Sequence, residues 1–540
     1  MTECKNISRW ILLVLVLFLV ACDNSEEDLA PPASLSFSDS PIAAGEVSSD
    51  GGTLTFDVNW AFTRWTARAG DVVRGKAFIN TISPGAGGSA DHGTSQTTVT
   101  VVFDANLTAT DNQQKIVLSS PAGDLSDTIL VFQAAKAVKK INVTFDPNTS
   151  YQTISGFGGA NMIWGTDYLT ESEMDLAFGT GENGLGLSIY RVRLSSNKND
   201  WGGLVSSIKG ANERNVEVLA SPWSPPAEWK SNNSVNGGGY LLEEHYADFA
   251  NYINEFVQYM DGQGAKVDVV SIQNEPDWVA GYEGCEYTTS GMYNFVKNYA
   301  GTITGAKVLA AESLNSKHSY TDNILNDAQA AEKLDIVGGH LYGSGIALYT
   351  LAEQKGKEIW MTEHLLNLNS GNNPDNWTTN TPAATIWNET MEMVTEIQSC
   401  MSYNWNAYIW WYIRRYYSFL GDGEKGTTRG QILKRGYAMS QFSKFIRPGY
   451  VRIKAELDNP STALNVTAYQ GDNKLVVVAI NPSDSDISGV TINMQGASFT
   501  AVAYTTSEFV NREMESLMTD NATVNFTIPA KSITTVVISN

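Results

Sequence analysis

The sequence predicts an α/β protein: a (β/α)8 TIM barrel with an attached β-sandwich side domain, preceded by a small all-β sandwich domain. Three observations predict it. From about Thr153 to Arg415, short apolar runs alternate with longer stretches of helical periodicity, the pattern of parallel strands joined by helices. Before this region, from Ala33 to about Ala137, and after it, beyond Arg447-Pro448-Gly449, the chain reads instead as short strands cut by Gly, Asp, Asn and Ser turns. At 540 residues the chain is also too long for one core, so two or three domains are expected.

The barrel strands are expected at Thr153–Gly159, Leu187–Leu194, Val216–Pro222, Val267–Gln273, Lys307–Glu312, Asp335–Leu341, Glu358–Glu363 and Ala407–Ile413. One intervening helix is especially legible. Leu242, Tyr246, Phe249, Ile253, Phe256 and Met260 step by three and four and give one apolar stripe. Gly262 and Gly264 then end it. Active sites in this fold lie at the C-terminal ends of the strands. The sequence places Arg191, Arg193, Trp223, Asn274, Glu275, Glu312, His340, Tyr342, Glu363 and Arg415 there.

Composition narrows the function. The chain carries 36 basic and 58 acidic residues, a net charge of −22. A polyanion needs a basic footprint, so nucleic acid is excluded as a partner. Cys4, Cys22, Cys285 and Cys400 show no metal-ligand spacing, and His340 has no companion histidine or cysteine cluster. Neither a metal nor a cofactor is expected.

Two strand ends carry the chemistry. Glu275 closes the fourth strand in Ser271–Trp278 (SIQNEPDW), and Glu363 closes the seventh in Glu358–His364 (EIWMTEH). Strands four and seven face one another across a barrel mouth. Two carboxyls about 5 Å apart are what retaining glycoside hydrolysis requires, one as nucleophile and one as acid/base. Asn274, beside Glu275, is placed to hydrogen-bond a sugar 2-hydroxyl. Ala407–Tyr417 (AYIWWYIRRYY) is an apolar run breaking into two arginines, and a guanidinium grips a carboxylate with two parallel hydrogen bonds. Ordinary ion pairing with barrel acids fits Arg414 but not Arg415. Glu312 and His340 read as supports, and Arg191 as an orienting partner for Glu363.

Together, Gly156-Phe157-Gly158-Gly159, SPWSPP at Ser221–Pro226, QNEPD at Gln273–Asp277, HLYG at His340–Gly343, WMTEH at Trp360–His364 and WWYIRR at Trp410–Arg415 resemble glycoside hydrolase family 30. WWYIRR with Lys434–Ile453 (KRGYAMSQFSKFIRPGYVRI) resembles its bacterial glucuronoxylanase subfamily. The resemblance runs from about Lys139 to Asn540. It implies a retaining endo-β-1,4-xylanase acting on xylan with (4-O-methyl)glucuronic acid branches. It implies Glu275 as acid/base and Glu363 as nucleophile. Arg415 is then the holder of the glucuronate carboxylate, helped by Trp411 and Tyr417, while Trp164, Trp223 and Tyr342 line the subsites nearest the cleavage point. There is one departure. Where the subfamily offers a tyrosine and a serine after its nucleophile, this chain has Leu365, Leu366, Asn367 and Leu368, with Asn369 and Ser370 beyond. A looser grip on the branch is expected. Two alternatives stay open: another specificity of the same family, such as a β-glucan, and a non-catalytic surface glycan-binding lipoprotein.

The N-terminus reads as an address. Lys5 and Arg9 precede an apolar run, Trp10–Val20, too short to span a bilayer. Leu19-Val20-Ala21-Cys22 resembles the bacterial lipoprotein box, which implies a signal peptide over 1–21, lipidation of Cys22 and an acidic tether over 22–32. The protein is therefore expected to be exported, a monomer, and lipid-anchored at the outer membrane, at the surface of a Gram-negative cell. Residues 33–138 resemble the BACON domain through Gly51-Gly52, Asn59-Trp60, Trp65 and Phe132-Gln133. A spacer with Trp60 and Trp65 in its core is favoured over a glycan-binding module. The further boundaries are 139–150 for a strand joining the side domain, 151–448 for the barrel and 449–540 for the side domain.

Overall fold

The computed structural model describes residues 31–38, 46–108, 110–136, 140–164, 167–366, 377–459, 462–494, 499–520 and 522–539. Cys22 and the signal segment lie outside these, as do Asn367–Ser370. Among the described residues no helix is long and apolar enough to cross a membrane. The chain divides into two compact units, Met1–Val138 and Lys139–Asn540.

The first unit is a sandwich. One sheet orders Ser34–Phe37, Gly52–Ala61, Ser95–Phe103 and Ile79–Ser83. The other orders Glu46–Val47, Ser126–Gln133, Asn112–Ser119, Thr63–Arg74 and Ala86–Ser89. Alternate residues of each strand point inward, as period two requires. Trp60 and Trp65 are both buried among Phe56, Val58, Val99 and Val101. Neither ring is exposed for stacking on a sugar.

The second unit contains the closed barrel. Its strands are β1 (Gly156–Ala160), β2 (Ile189–Leu194), β3 (Glu217–Pro222), β4 (Val269–Ser271), β5 (Lys307–Ser313), β6 (Ile336–His340), β7 (Glu358–Glu363) and β8 (Ala407–Trp410), hydrogen-bonded in sequence order. Closure comes from β8 pairing in parallel with β1, from Gly156↔Ala407 to Gly159↔Trp410. Glycine is needed in β1, since a Cβ on Gly158 would lie 2.3 Å from the Ile189 carbonyl oxygen. The strand starts later than the sequence suggests. Thr153 instead closes a long strand, Ile141–Thr153, that runs antiparallel to Val451–Leu457 and parallel to Ile487–Asn493. The predicted helix spans Tyr246–Gly262 and buries Tyr246, Phe249, Ile253, Phe256 and Met260. Leu242 precedes it, in the turn leading in.

Ile189, Leu219, Val269, Leu309, Ile336, Trp360, Ala407 and Ile409 form one fully buried layer inside the barrel. This apolar plug closes one end and leaves the polar positions beyond it. Arg191 and His340 share faces with Ile189 and Ile336, at two and four residues' distance. Register shifts at Ala311/Ser313 in β5 and between β6 and β7 change the alternation next to Glu312 and Glu363.

Ten strands form the side domain's continuous sheet, which folds in a sandwich-like way around Val143, Ile453, Ala468, Val477, Val490 and Val536. Its other face packs on the barrel helices Ala383–Ser402 and Lys434–Ser443. Gln441 Nε2 donates to Thr506 Oγ1 at 2.7 Å, and Trp387 Nε1 donates to the Lys531 carbonyl at 2.8 Å. Cys285 and Cys400 are buried and unpaired.

Candidate active site

Four strand ends bring one charged cluster together. Arg191 on β2 is wholly buried and branches among them. Its Nη1 donates to Glu363 Oε2 at 2.6 Å, its Nη2 to Asn274 Oδ1 at 2.7 Å, and its Nε to Ser221 Oγ at 3.2 Å. Arg191 Nη2 also lies 3.0 Å from Glu312 Oε1. His340, at the end of β6, sits between the carboxyls. Its Nδ1 is 3.0 Å from Glu275 Oε1, and its Nε2 is 3.7 Å from Glu312 and 4.0 Å from Glu363. Glu275 and Glu312 both adopt left-handed backbone, at φ 47° and 52°. Such geometry costs on the order of 1 kcal/mol and persists where its surroundings enforce it. Here the Glu275 amide donates to the Glu312 carbonyl at 3.1 Å.

The electrostatics follow from that arrangement. Burial works against ionisation of Glu312, but Arg191 and His340 outweigh it and hold its carboxyl down at about 2. Burial also works against a charged His340, yet Glu363, Glu275 and Glu312 together lift its imidazole to about 9. Burial pushes the Glu275 carboxyl above its usual range; Glu363 adds to the rise and His340 opposes it. Two cations, Arg191 and His340, thus face three carboxyls in a site largely closed to water. Of these carboxyls, Glu275 is pushed upward and Glu312 is held down.

A Glu275 oxygen, a His340 ring nitrogen and a Glu363 oxygen all lie within 4.8 Å of one another. Of the described residues, these are the group that comes close enough to hold a metal ion. Arg191 already donates to Glu363 Oε2, and His340 Nδ1 already lies within hydrogen-bond reach of Glu275 Oε1. The cluster is built as a charge network instead.

Above it opens a cleft of about 890 Å³ lined by Trp164, Trp223, Asn274, Tyr342 and Trp411 together with both glutamates. Tyr342 donates its hydroxyl to Glu363 Oε1 at 2.7 Å. Trp223 links the aromatic wall, with ring centroids 6.1 Å from Trp164 and 6.0 Å from Trp411. Arg193 stacks over Trp164 at 4.3 Å and pairs with Glu283. The sequence reading did not single out Trp278, Tyr282, Glu283, Asn236 or Leu314, which also line the cleft. The two aromatics Trp278 and Tyr282, three and seven residues after Glu275, were the available signal.

Arg415 and Tyr417 are not on this wall. Arg415 keeps 26% of its side chain exposed, stacks over Tyr412 at 4.1 Å, and donates through Nη1 to Asp167 Oδ2 at 2.6 Å. Arg414 is buried and pairs with Asp167 and Glu173. Ion pairing with barrel acids therefore involves both arginines, not Arg414 alone, because one carboxylate bridges adjacent guanidiniums. Tyr417 is buried beside Tyr416.

Residues 190–405 match the model of the glycosyl hydrolase family 30 TIM-barrel domain. The glucuronoxylanase XynC of Bacillus subtilis (strain 168) is 36% identical over 416 residues, covering 75% of this chain and 94% of that protein. Among solved structures, the glycoside hydrolase family 30 subfamily 8 xylanase Xyn30A of Clostridium acetobutylicum is 33% identical with a TM-score of 0.65. A GH30 endoxylanase of Clostridium papyrosolvens C71 is 34% identical with a TM-score of 0.63. Both cover 74% of this chain and all of their own.

Proposed function

Because the chain belongs to glycoside hydrolase family 30, we propose that it is a retaining endo-β-1,4-xylanase that cuts xylan bearing (4-O-methyl)glucuronic acid branches. The observation that carries the reading is the approach of Glu275 and Glu363 to within 4.8 Å. Retaining enzymes need a carboxyl separation of about 5–5.5 Å, whereas inverting ones need about 6.5–9.5 Å to admit a water. Glu363, held by Arg191 and Tyr342, attacks the anomeric carbon. Glu275, whose carboxyl burial and Glu363 push upward, gives its proton to the leaving oxygen and later takes one from water. Asn274, fixed by Arg191, is oriented toward the sugar 2-hydroxyl. Trp164, Trp223 and Trp411 supply apolar faces for the backbone rings.

Arg415 is the proposed partner of the branch carboxylate, with Asp167 holding the guanidinium from one side. Tyr417 supports it from the interior. We also propose that Cys22 carries a lipid that tethers the enzyme to the outer membrane, with the first unit as a BACON-like spacer.

The experiment is a product analysis on glucuronoxylan and on the same xylan stripped of its uronate. Retention of anomeric configuration by NMR and branch-bearing products at a fixed position support the reading. Cleavage of neither polymer refutes it. Arg415→Met is expected to lower the preference for the branched polymer about tenfold or more, since charged hydrogen bonds each contribute about 1.5–3 kcal/mol.

A further inference from the structure

A second cavity, of about 560 Å³, lies beside the catalytic cleft. It sits between the turn after β6, the residues after β7, and the helix Ala383–Ser402, which contributes Glu392 and Glu396. Tyr342 and Leu365 wall both cavities. Tyr342 is also the residue whose hydroxyl holds Glu363. Among the described residues, Tyr342 and Leu365 are thus common to the wall beside Glu363 and to this second cavity. The volume is within the roughly 300–1,000 Å³ of small-ligand pockets.

The lining chemistry discriminates among substituents. Its polar groups include Ser344, His364, Glu392 and Glu396, and among the described residues no lysine or arginine lines it. Burial lifts the Glu396 carboxyl to about 8, with Glu392 acting in the same direction. Burial also raises Glu392, and it lowers His364 to about 3. His364 Nδ1 lies 2.7 Å from the Tyr408 hydroxyl and 3.2 Å from Glu396 Oε2. A protonated carboxyl both donates and accepts, as a sugar hydroxyl does. A uronate here would find no lysine or arginine among the described lining residues, and Arg435, whose charge reaches Glu392 and His364, is already paired with Glu389. Leu365 and Leu366 give the cavity an apolar flank for the carbon face of a small ring.

We propose that this cavity receives an uncharged pentose branch of the xylan backbone, so that the enzyme reads neutral decoration beside Glu363. The inference rests on the xylanase reading above and adds a specificity site to it. Three matched xylo-oligosaccharides test it: linear, with one arabinofuranosyl branch, and with one glucuronyl branch. The wild-type protein is expected to show kcat/KM several-fold higher on the pentose-branched oligosaccharide than on the linear one. Leu366→Trp, which fills the cavity, is expected to bring that ratio close to one. Glu396→Ala is expected to lower it about twofold to tenfold, the range of one hydrogen bond. Melting temperatures check that both variants are folded. A wild-type ratio of one, or a ratio unmoved by both variants, overturns the proposal. So does an effect of Leu366→Trp confined to the glucuronyl substrate. Failure to cut any of the three, the glucuronyl-branched one included, sinks the xylanase reading itself, and is distinguishable from cleavage of the linear or glucuronyl substrate without a pentose preference, which overturns this inference alone.

Discussion

His340 Nδ1 lies 3.0 Å from Glu275 Oε1, while the far side of the same imidazole faces Glu312 and Glu363. One ring therefore couples the proposed acid/base to the proposed nucleophile. Its cation favours the ionised form of Glu275, against burial and Glu363, which favour the protonated form. Glu275 is thus tuned by opposing influences rather than by burial alone.

Replacing His340 by Gln removes the larger of the two influences that favour ionised Glu275, leaving that of Arg191. The alkaline limb of kcat/KM, where Glu275 loses its proton, is expected to move to higher pH, with a lower maximum. A pH–rate profile of the variant checks this, and a shift to lower pH contradicts the coupling.

The same histidine makes stability pH-dependent. Its folded pKa of about 9 lies above the unfolded value near 6.5. Its contribution is fully present below about pH 6.5 and is lost as pH rises through about 9. The fall is at most about 1.4 kcal/mol per pH unit for one proton. Glu312 acts in the opposite sense: held at about 2, it stabilises above its unfolded pKa near 4.5, and that contribution disappears as pH falls through about 2. Denaturation followed from pH 6 to 10 is expected to show a decline that His340→Gln flattens.

Arg191→Met leaves Glu312 and Glu363 without the nearer of the two cations they share in a dry interior. Breaking a buried pair from one side costs about 3–5 kcal/mol. Chemical denaturation measures this, and a loss under 1 kcal/mol is inconsistent with the network described.

Glu275→Ala removes the proposed acid. Activity on unactivated xylan is expected to fall by about 10²–10⁴. Aryl xylobiosides whose leaving group needs no protonation are expected to lose much less at the glycosylation step, and azide to restore turnover as a β-glycosyl azide. An α-glycosyl azide contradicts the assignment.

Much of this site was legible in the chain itself. All eight barrel strands announce themselves because a parallel strand covered on both faces must be nearly continuously apolar, and each polar strand end then stands out. Glu275 and Glu363 stand out in the sequence that way, and the structure brings both into the cluster around Arg191. The helix Tyr246–Gly262 was found through its 3.6-residue periodicity, since its buried stripe is fixed by local geometry. Other features were not local. The approach of Glu275 and Glu363 depends on the barrel closing β8 onto β1. Asp167 is an ordinary acid in the sequence, and only folding sets it against Arg414 and Arg415. The second cavity is assembled from two loops and a helix distant in the chain. The sequence alone determined which side chains point into which element, because period and polarity are short-range properties. Tertiary structure alone decided which charges face one another and which are already paired, because Coulomb and desolvation energies depend on distances that only the folded chain sets.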